Sequence, residues 1–85
     1  MSNEINRIKW KCRRGMREID LLLREFSKNS IKNLSNNDLY LFDEILDYDD
    51  QKLYDFIFKN QPIGNKDHES FIIKNLKNFT EQGNF

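Results

Sequence analysis

One cysteine, one proline, one histidine and three glycines are all that this 85-residue chain holds of the residues that most often staple, break or ligate a fold. A lone Cys12 excludes an internal disulfide and any metal site built from several thiolates, which fits a reducing compartment. No stretch approaches the ~18 apolar residues of a membrane span. The opening "MSNEINRIKW" lacks the apolar centre of a signal peptide, and its Glu4 and short basic run are unlike a transit peptide. The cytoplasm is the expected location. Strand-like alternation is missing too, and no internal repeat of useful period is present.

Excess charge of either sign is also absent, since fourteen Lys and Arg balance fourteen Asp and Glu. That balance conceals a division along the chain. Residues 1–34 hold nine basic against four acidic side chains, and residues 35–85 hold five against ten. Such polarity points to oriented docking on a partner more than to general affinity for nucleic acid.

What the chain does have is aromatic bulk and a helical period. Seven Phe, three Tyr and one Trp supply buriable surface for one modest core, so the 85 residues are expected to form a single domain. Ile5, Ile8 and Cys12 recur at helical spacing and predict a first helix over residues 3–14. Met16, Ile19, Leu23 and Phe26 predict a second, ending near Ser30. Gly15 lies between them, where a residue tolerant of positive φ can stop one helix and start the next. Ser35, with Asp38 three residues on, opens a helix whose apolar face is Leu39, Phe42, Ile45 and Leu46. Asp49 is the N-cap expected for a fourth helix carrying Leu53, Phe56 and Ile57. Pro62 and Gly64 break the chain. A last helix from Asp67 shows Phe71, Ile72, Leu76 and Phe79, with a frayed tail from about residue 81. The expected fold is an all-α bundle of about five short helices.

Few residues offer chemistry. The acidic group Asp43, Glu44, Asp47, Asp49 and Asp50, read as a calcium loop from Asp47, has Lys52 where Gly is needed and Phe58 where Glu is needed. Helix capping and solvation account for these acids better. Cys12 lies on an apolar stripe and reads as a buried thiol. His68 has no Cys or second His with which to share a metal. No nucleophile, base and orienting group can be assembled, so the chain reads as a non-enzyme without a metal site. The basic run Arg7, Lys9, Lys11, Arg13, Arg14 and Arg17 beside Trp10 could contact phosphates, but on a helix these residues spread over several faces. A solvated face with Trp10 packed into the core is the preferred reading, and no nucleic-acid partner is expected.

Arg14, Gly15 and Glu18 admit two readings. Gly15 is either a helix junction, with Glu18 reaching back to a free backbone N–H as in a capping box, or a bare surface that lets a partner approach. In the second case Arg14 presents a donor fork and Glu18 a carboxylate on either side of the gap.

At these residues the chain resembles a known family. "RIKWKCRRGMREIDLLL" is similar to the N-terminal signature of the small FAD assembly factors of succinate dehydrogenase and fumarate reductase, the bacterial SdhE family. Its RGxxE motif is matched by Arg14, Gly15 and Glu18, the preceding W-x-C-R-R by Trp10, Cys12, Arg13 and Arg14, and the following acid by Asp20. The similarity continues more loosely through Leu34, Ser35, Asp38, Leu46, Asp49, Asp50 and Leu53, with Phe56 where the family often has Trp. The resemblance implies a bacterial, cytoplasmic chaperone. Such a chaperone binds the flavoprotein subunit of succinate dehydrogenase or fumarate reductase and promotes covalent attachment of FAD to a histidine of that subunit. It implies no stably bound cofactor of the chain's own and no insertion into a membrane. Carried over residue by residue, Arg14, Gly15 and Glu18 would contact the client, flanked by Trp10, Arg17 and Asp20. An antitoxin-like module that regulates another protein partner is the alternative the family also offers.

Overall fold

The computed structural model describes residues 2–77. Within them the chain forms α1 (Ser2–Lys11), α2 (Arg17–Ser30), α3 (Asn36–Ile45), α4 (Asp50–Lys59) and α5 (Lys66–Phe71). A 3-10 turn (Ile31–Asn33) continues α2, and a π-helical stretch (Ile72–Lys77) continues α5. No strand occurs among the described residues. None of the described helices is long and apolar enough to cross a membrane. The all-α expectation holds; Phe79 and the tail expected from about residue 81 lie outside the described residues.

Most starts follow from local chemistry. Ser35 Oγ accepts the Asp38 backbone N–H at 3.1 Å, and Asp49 Oδ1 accepts that of Lys52 at 2.8 Å. Each satisfies one of the donors that a helix start leaves free. The last helix starts at Lys66, capped by Asn65, whose Oδ1 accepts from His68 N at 3.0 Å. α4 ends where Asn60 turns left-handed at φ 60°, a conformation Asn tolerates better than most residues. Gly64, at φ 100°, then turns the chain into α5, and Glu69 Oε2 fastens that loop by accepting from Ile63 N and Gly64 N.

The predicted stripes face one another. Ile8 and Cys12 from the α1 end, Ile19 and Leu23 from α2, Ile45 from α3, Leu53 from α4 and Ile72 and Leu76 beyond α5 are all buried. Phe26, Phe42 and Phe71 form the centre. Phe26 meets Phe42 edge-on at 5.3 Å between centroids, and Phe42 stacks on Phe71 at 5.9 Å. These offset and edge-on contacts add to area burial. Ile5, Met16 and Leu39, read as stripe members, are only partly buried at the rim.

The junction between α1 and α2 departs from expectation. α1 stops at Lys11, short of the Arg14 end that the spacing suggested, and Met16 is an extended N-cap at φ −80°, ψ 122°. The cause is the competition of two side-chain carboxylates for the backbone, one from α2 nearby and one from the start of α4. Asp20 Oδ1 accepts Arg14 N at 2.7 Å, and Asp50 Oδ2 accepts Met16 N at 3.0 Å. Those N–H groups are thereby removed from any continuous helix. Gly15 does not adopt positive φ; among the described glycines only Gly64 does. The junction is made by the two aspartates rather than by the conformational freedom of Gly15.

Candidate functional site

Arg14 is the centre of the junction. Its Nε donates to Asp50 Oδ1 at 2.7 Å, and its Nη1 to Lys11 O at 3.1 Å and Leu46 O at 2.8 Å. Its Nη2 donates to Tyr48 O. The planar fork of Arg suits this arrangement, because one group can serve a carboxylate and several carbonyls at fixed angles. One guanidinium thus ties the end of α1 to the α3–α4 turn, with its side chain only 13% exposed. Burial pushes the Asp50 carboxyl upward, but the Arg14 hydrogen bond and charge and the Met16 N–H outweigh it and hold Asp50 below the usual carboxylate range.

Two further cations of α1 are held the same way. Arg7 grips Asp43 with both terminal nitrogens at 3.2 and 2.8 Å, and Lys11 Nζ bridges Asp43 and Asp47 at 2.8 Å each. The Arg7 hydrogen bonds, opposed by burial and helped by Lys11, keep the Asp43 carboxyl low. Much of the charge division along the chain is therefore neutralised inside the molecule: Arg7, Lys11 and Arg14 meet Asp43, Asp47 and Asp50. The acids read as solvated or capping residues are, in three cases, the counter-charges of α1. Their signal in the sequence was the opposite bias of the two halves. The local pattern could not pair residues 32 to 36 positions apart.

The rest of the motif faces outward. Gly15, Arg17 and Glu18 are exposed, and among the described residues Arg17 and Glu18 have no hydrogen-bond or ion-pair partner. Glu18 does not close a capping box, because the Met16 and Arg14 N–H groups already belong to Asp50 and Asp20. Trp10 is 71% exposed, against the preferred reading that placed it in the core. Its indole instead carries the Arg13 guanidinium 5.4 Å from the ring centroid. Asp20 stands behind this surface, bound by Arg14 N on one oxygen and Arg24 Nη1 at 3.2 Å on the other. The structure thus divides the six predicted contact residues. Trp10, Gly15, Arg17 and Glu18 form the outer surface, while Arg14 and Asp20 build the turn that presents them. A Cβ added to Gly15 would meet only Asp50 Oδ2, at an ordinary 3.8 Å, so nothing within the chain requires glycine there.

Cys12 and His68 lie elsewhere. Cys12 is fully buried, and burial pushes its thiol up to about 11, with the Ser27 hydroxyl pulling weakly the other way. A thiol both shielded and protonated at neutral pH is inert. Ellman's reagent at pH 8 is expected to label no thiol in the native protein within minutes and one per chain in guanidinium; prompt native labelling would contradict the burial. His68 links α5 to α3, its Nδ1 2.7 Å from Tyr48 Oη and its Nε2 3.1 Å from Glu44 Oε1. With the proton on Nε2, the ring accepts from the tyrosine and donates to the carboxylate. Among the described residues no three His, Cys, Asp or Glu side chains are grouped to hold a metal ion.

With this geometry in place, the comparisons have something specific to match. A FAD assembly factor SdhE from Legionella pneumophila (strain Paris) is 43% identical over 60 residues, 71% of this chain and 76% of the relative. One from Wigglesworthia glossinidia brevipalpis is 40% identical over 68 residues, 80% of each chain. One from Coxiella burnetii is 43% identical over 51 residues, 60% of this chain and 62% of the relative. No solved structure matches. Residues 6–80, the outward RGxxE surface and the aspartate-locked turn beneath it included, match the family described as flavinator of succinate dehydrogenase, and the chain belongs to that family.

Proposed function

We propose that this protein is the assembly factor that binds the flavoprotein subunit of succinate dehydrogenase, and of fumarate reductase where the cell makes one, so that FAD becomes covalently attached to that subunit. It acts in the bacterial cytoplasm as a chaperone, not as a catalyst with a cofactor of its own. Bond formation rests with the flavin and the client's histidine, and this chain contributes positioning. The observation that carries the reading is the surface around Gly15, within a chain of this family. A bare glycine, a Glu18 carboxylate without a partner among the described residues and an exposed Trp10 sit on or beside a turn that Arg14 and Asp50 hold in one shape. Such a surface is preorganised for contact without serving the fold itself.

The test is covalent flavin on the client. The flavoprotein subunit of the same organism is expressed with and without this protein, denatured, and read by flavin fluorescence in the gel. A bright band only in the presence of this protein is the expected result. Bands of equal brightness in both lanes would remove the proposal for that client.

A further inference from the structure

Of the basic residues in the first two helices and the junction between them, Arg7, Lys11 and Arg14 are neutralised by carboxylates of α3, the following turn and α4, and Arg24 pairs with Asp20. Lys9, Arg13, Arg17 and Lys28 form no ion pair among the described residues. Three of these four unpaired cations, Lys9, Arg13 and Lys28, share one groove with Arg24. Lys9 from α1, Arg13 from the junction after it, and Arg24 and Lys28 from α2 line one groove of about 300 Å3 that also includes Ser27, with Glu25 as the carboxylate in its lining. Even with Arg24 paired to Asp20, gathering the unpaired Lys9, Arg13 and Lys28 beside it with only Glu25 in the lining costs self-repulsion that folding alone gives no reason to bear. Trp10, stacked under Arg13, holds one of the guanidinium planes in place at the mouth of the groove. Arg13 in turn adjoins the Arg14–Gly15 turn in sequence, so the groove opens beside the surface assigned to the client.

We propose that this groove docks an acidic segment of the flavoprotein subunit, a short stretch presenting several carboxylates, and that it steers the client onto the Gly15 surface. The inference rests on the assembly-factor reading and deepens it by naming a second contact. Carboxylates fit because the Arg13 and Arg24 forks can donate to them bidentately. A peptide suits the site better than a nucleic acid. Glu25 within the groove would repel the unbroken charge of a phosphate backbone, whereas side-chain carboxylates can be spaced to avoid it. Long-range attraction of this kind acts mainly on the rate of association and fades with salt.

The test measures association of the apo flavoprotein subunit with the wild type and with a Lys9→Gln/Lys28→Gln variant that removes one exposed cation from each wall. A Lys52→Gln/Lys66→Gln variant removes the same charge from α4 and α5 and serves as control. At about 50 mM salt the groove variant is expected to associate roughly tenfold more slowly, with dissociation within about twofold of wild type. The gap is expected to close near 500 mM, and the control to match wild type at both. Equal rates for the groove variant and wild type, with flavin attached normally, would overturn the groove and leave the assembly role standing. An equal loss in both variants would trace the effect to net charge and also overturn it. Failure of the wild type both to bind the subunit and to raise its covalent flavin would remove the assembly role and the groove together. If Lys9 and Lys28 governed salt-sensitive retention of a single-stranded oligonucleotide but not of the subunit, nucleic acid would be the occupant and the proposal would fall.

Discussion

Arg14→Gln is expected to unfold this protein at a midpoint about 12–24 °C below wild type. Removing one partner of a largely buried, multiply hydrogen-bonded ion pair costs about 3 kcal/mol or more, because the groups left behind lose their compensation. A domain of this size loses about 4–8 °C per kcal/mol. Here the groups left behind are the Asp50 carboxylate and the carbonyls of Lys11, Leu46 and Tyr48. Gln reaches at most one of them. Arg14→Lys keeps the charge opposite Asp50 but cannot span the carbonyls, so it is expected to recover less than half of the loss. The same pair predicts the acid limb. Asp50 and Asp43 are held low in the folded state, so their contribution is complete above the ordinary carboxylate pKa of about 3.9. It is lost as pH falls through their lower folded values. Lys11, held high by Asp43 and Asp47 against burial, contributes below the ordinary lysine range and loses its part only in strong alkali. Denaturant titrations from pH 7 to pH 2 should show wild-type stability falling below about pH 4. The fall should be shallower in Arg14→Gln, which has already lost the interaction that lowers Asp50. A mild loss at neutral pH with an unchanged acid limb would mean that Arg14 does not hold the turn.

The parts of this architecture that were legible in the sequence are those decided within a few residues. Ser35 and Asp49 announce helix starts because a cap is a local hydrogen bond, and the stripe of Leu53, Phe56 and Ile57 announces a buried face because a helix repeats every 3.6 residues. The last helix begins at Lys66 behind its Asn65 cap, one residue before the expected start at Asp67, a shift ordinary at element boundaries. The junction at Gly15 was misread for a deeper reason. The junction is set by two aspartates, and one of them, Asp50, lies far along the chain where no local rule for glycine reaches. The surface was legible but misread: Trp10 was expected in the core, yet it stands two residues from Ile8, off the stripe that buries Ile8 and Cys12, where a helix turns it outward. The distinction between Arg14 and Arg17 was not visible. Both are arginines in the same motif, and only the tertiary pairing with Asp50 makes one a brace and leaves the other exposed.

That distinction sets up the second large effect, a separation of activity from stability within one motif. Gly15→Ala is expected to fold as well as wild type, or to gain about 0.5 kcal/mol by restricting the unfolded chain. The backbone there is not left-handed, and the new methyl finds room. Yet, on the proposed contact at Gly15, covalent flavin on the client should fall roughly tenfold or more, because the methyl would hold the client off and poor alignment costs rate steeply. Glu18→Gln should behave alike. It removes an exposed charge from the first turn of α2, a loss of about 0.3–1 kcal/mol at most, while depriving the client of a carboxylate. Arg14→Gln, by contrast, should lose stability and activity together. The decisive measurement is a pair of numbers for each variant, the unfolding midpoint and the covalent flavin after co-expression. Glycine and glutamate variants that melt like wild type but leave the subunit dark would assign those positions to the partner. Variants of both that flavinylate at the wild-type level would place the contact elsewhere on the molecule. A Gly15→Ala that unfolds early would return the glycine to the fold, against the 3.8 Å of clearance found beside it.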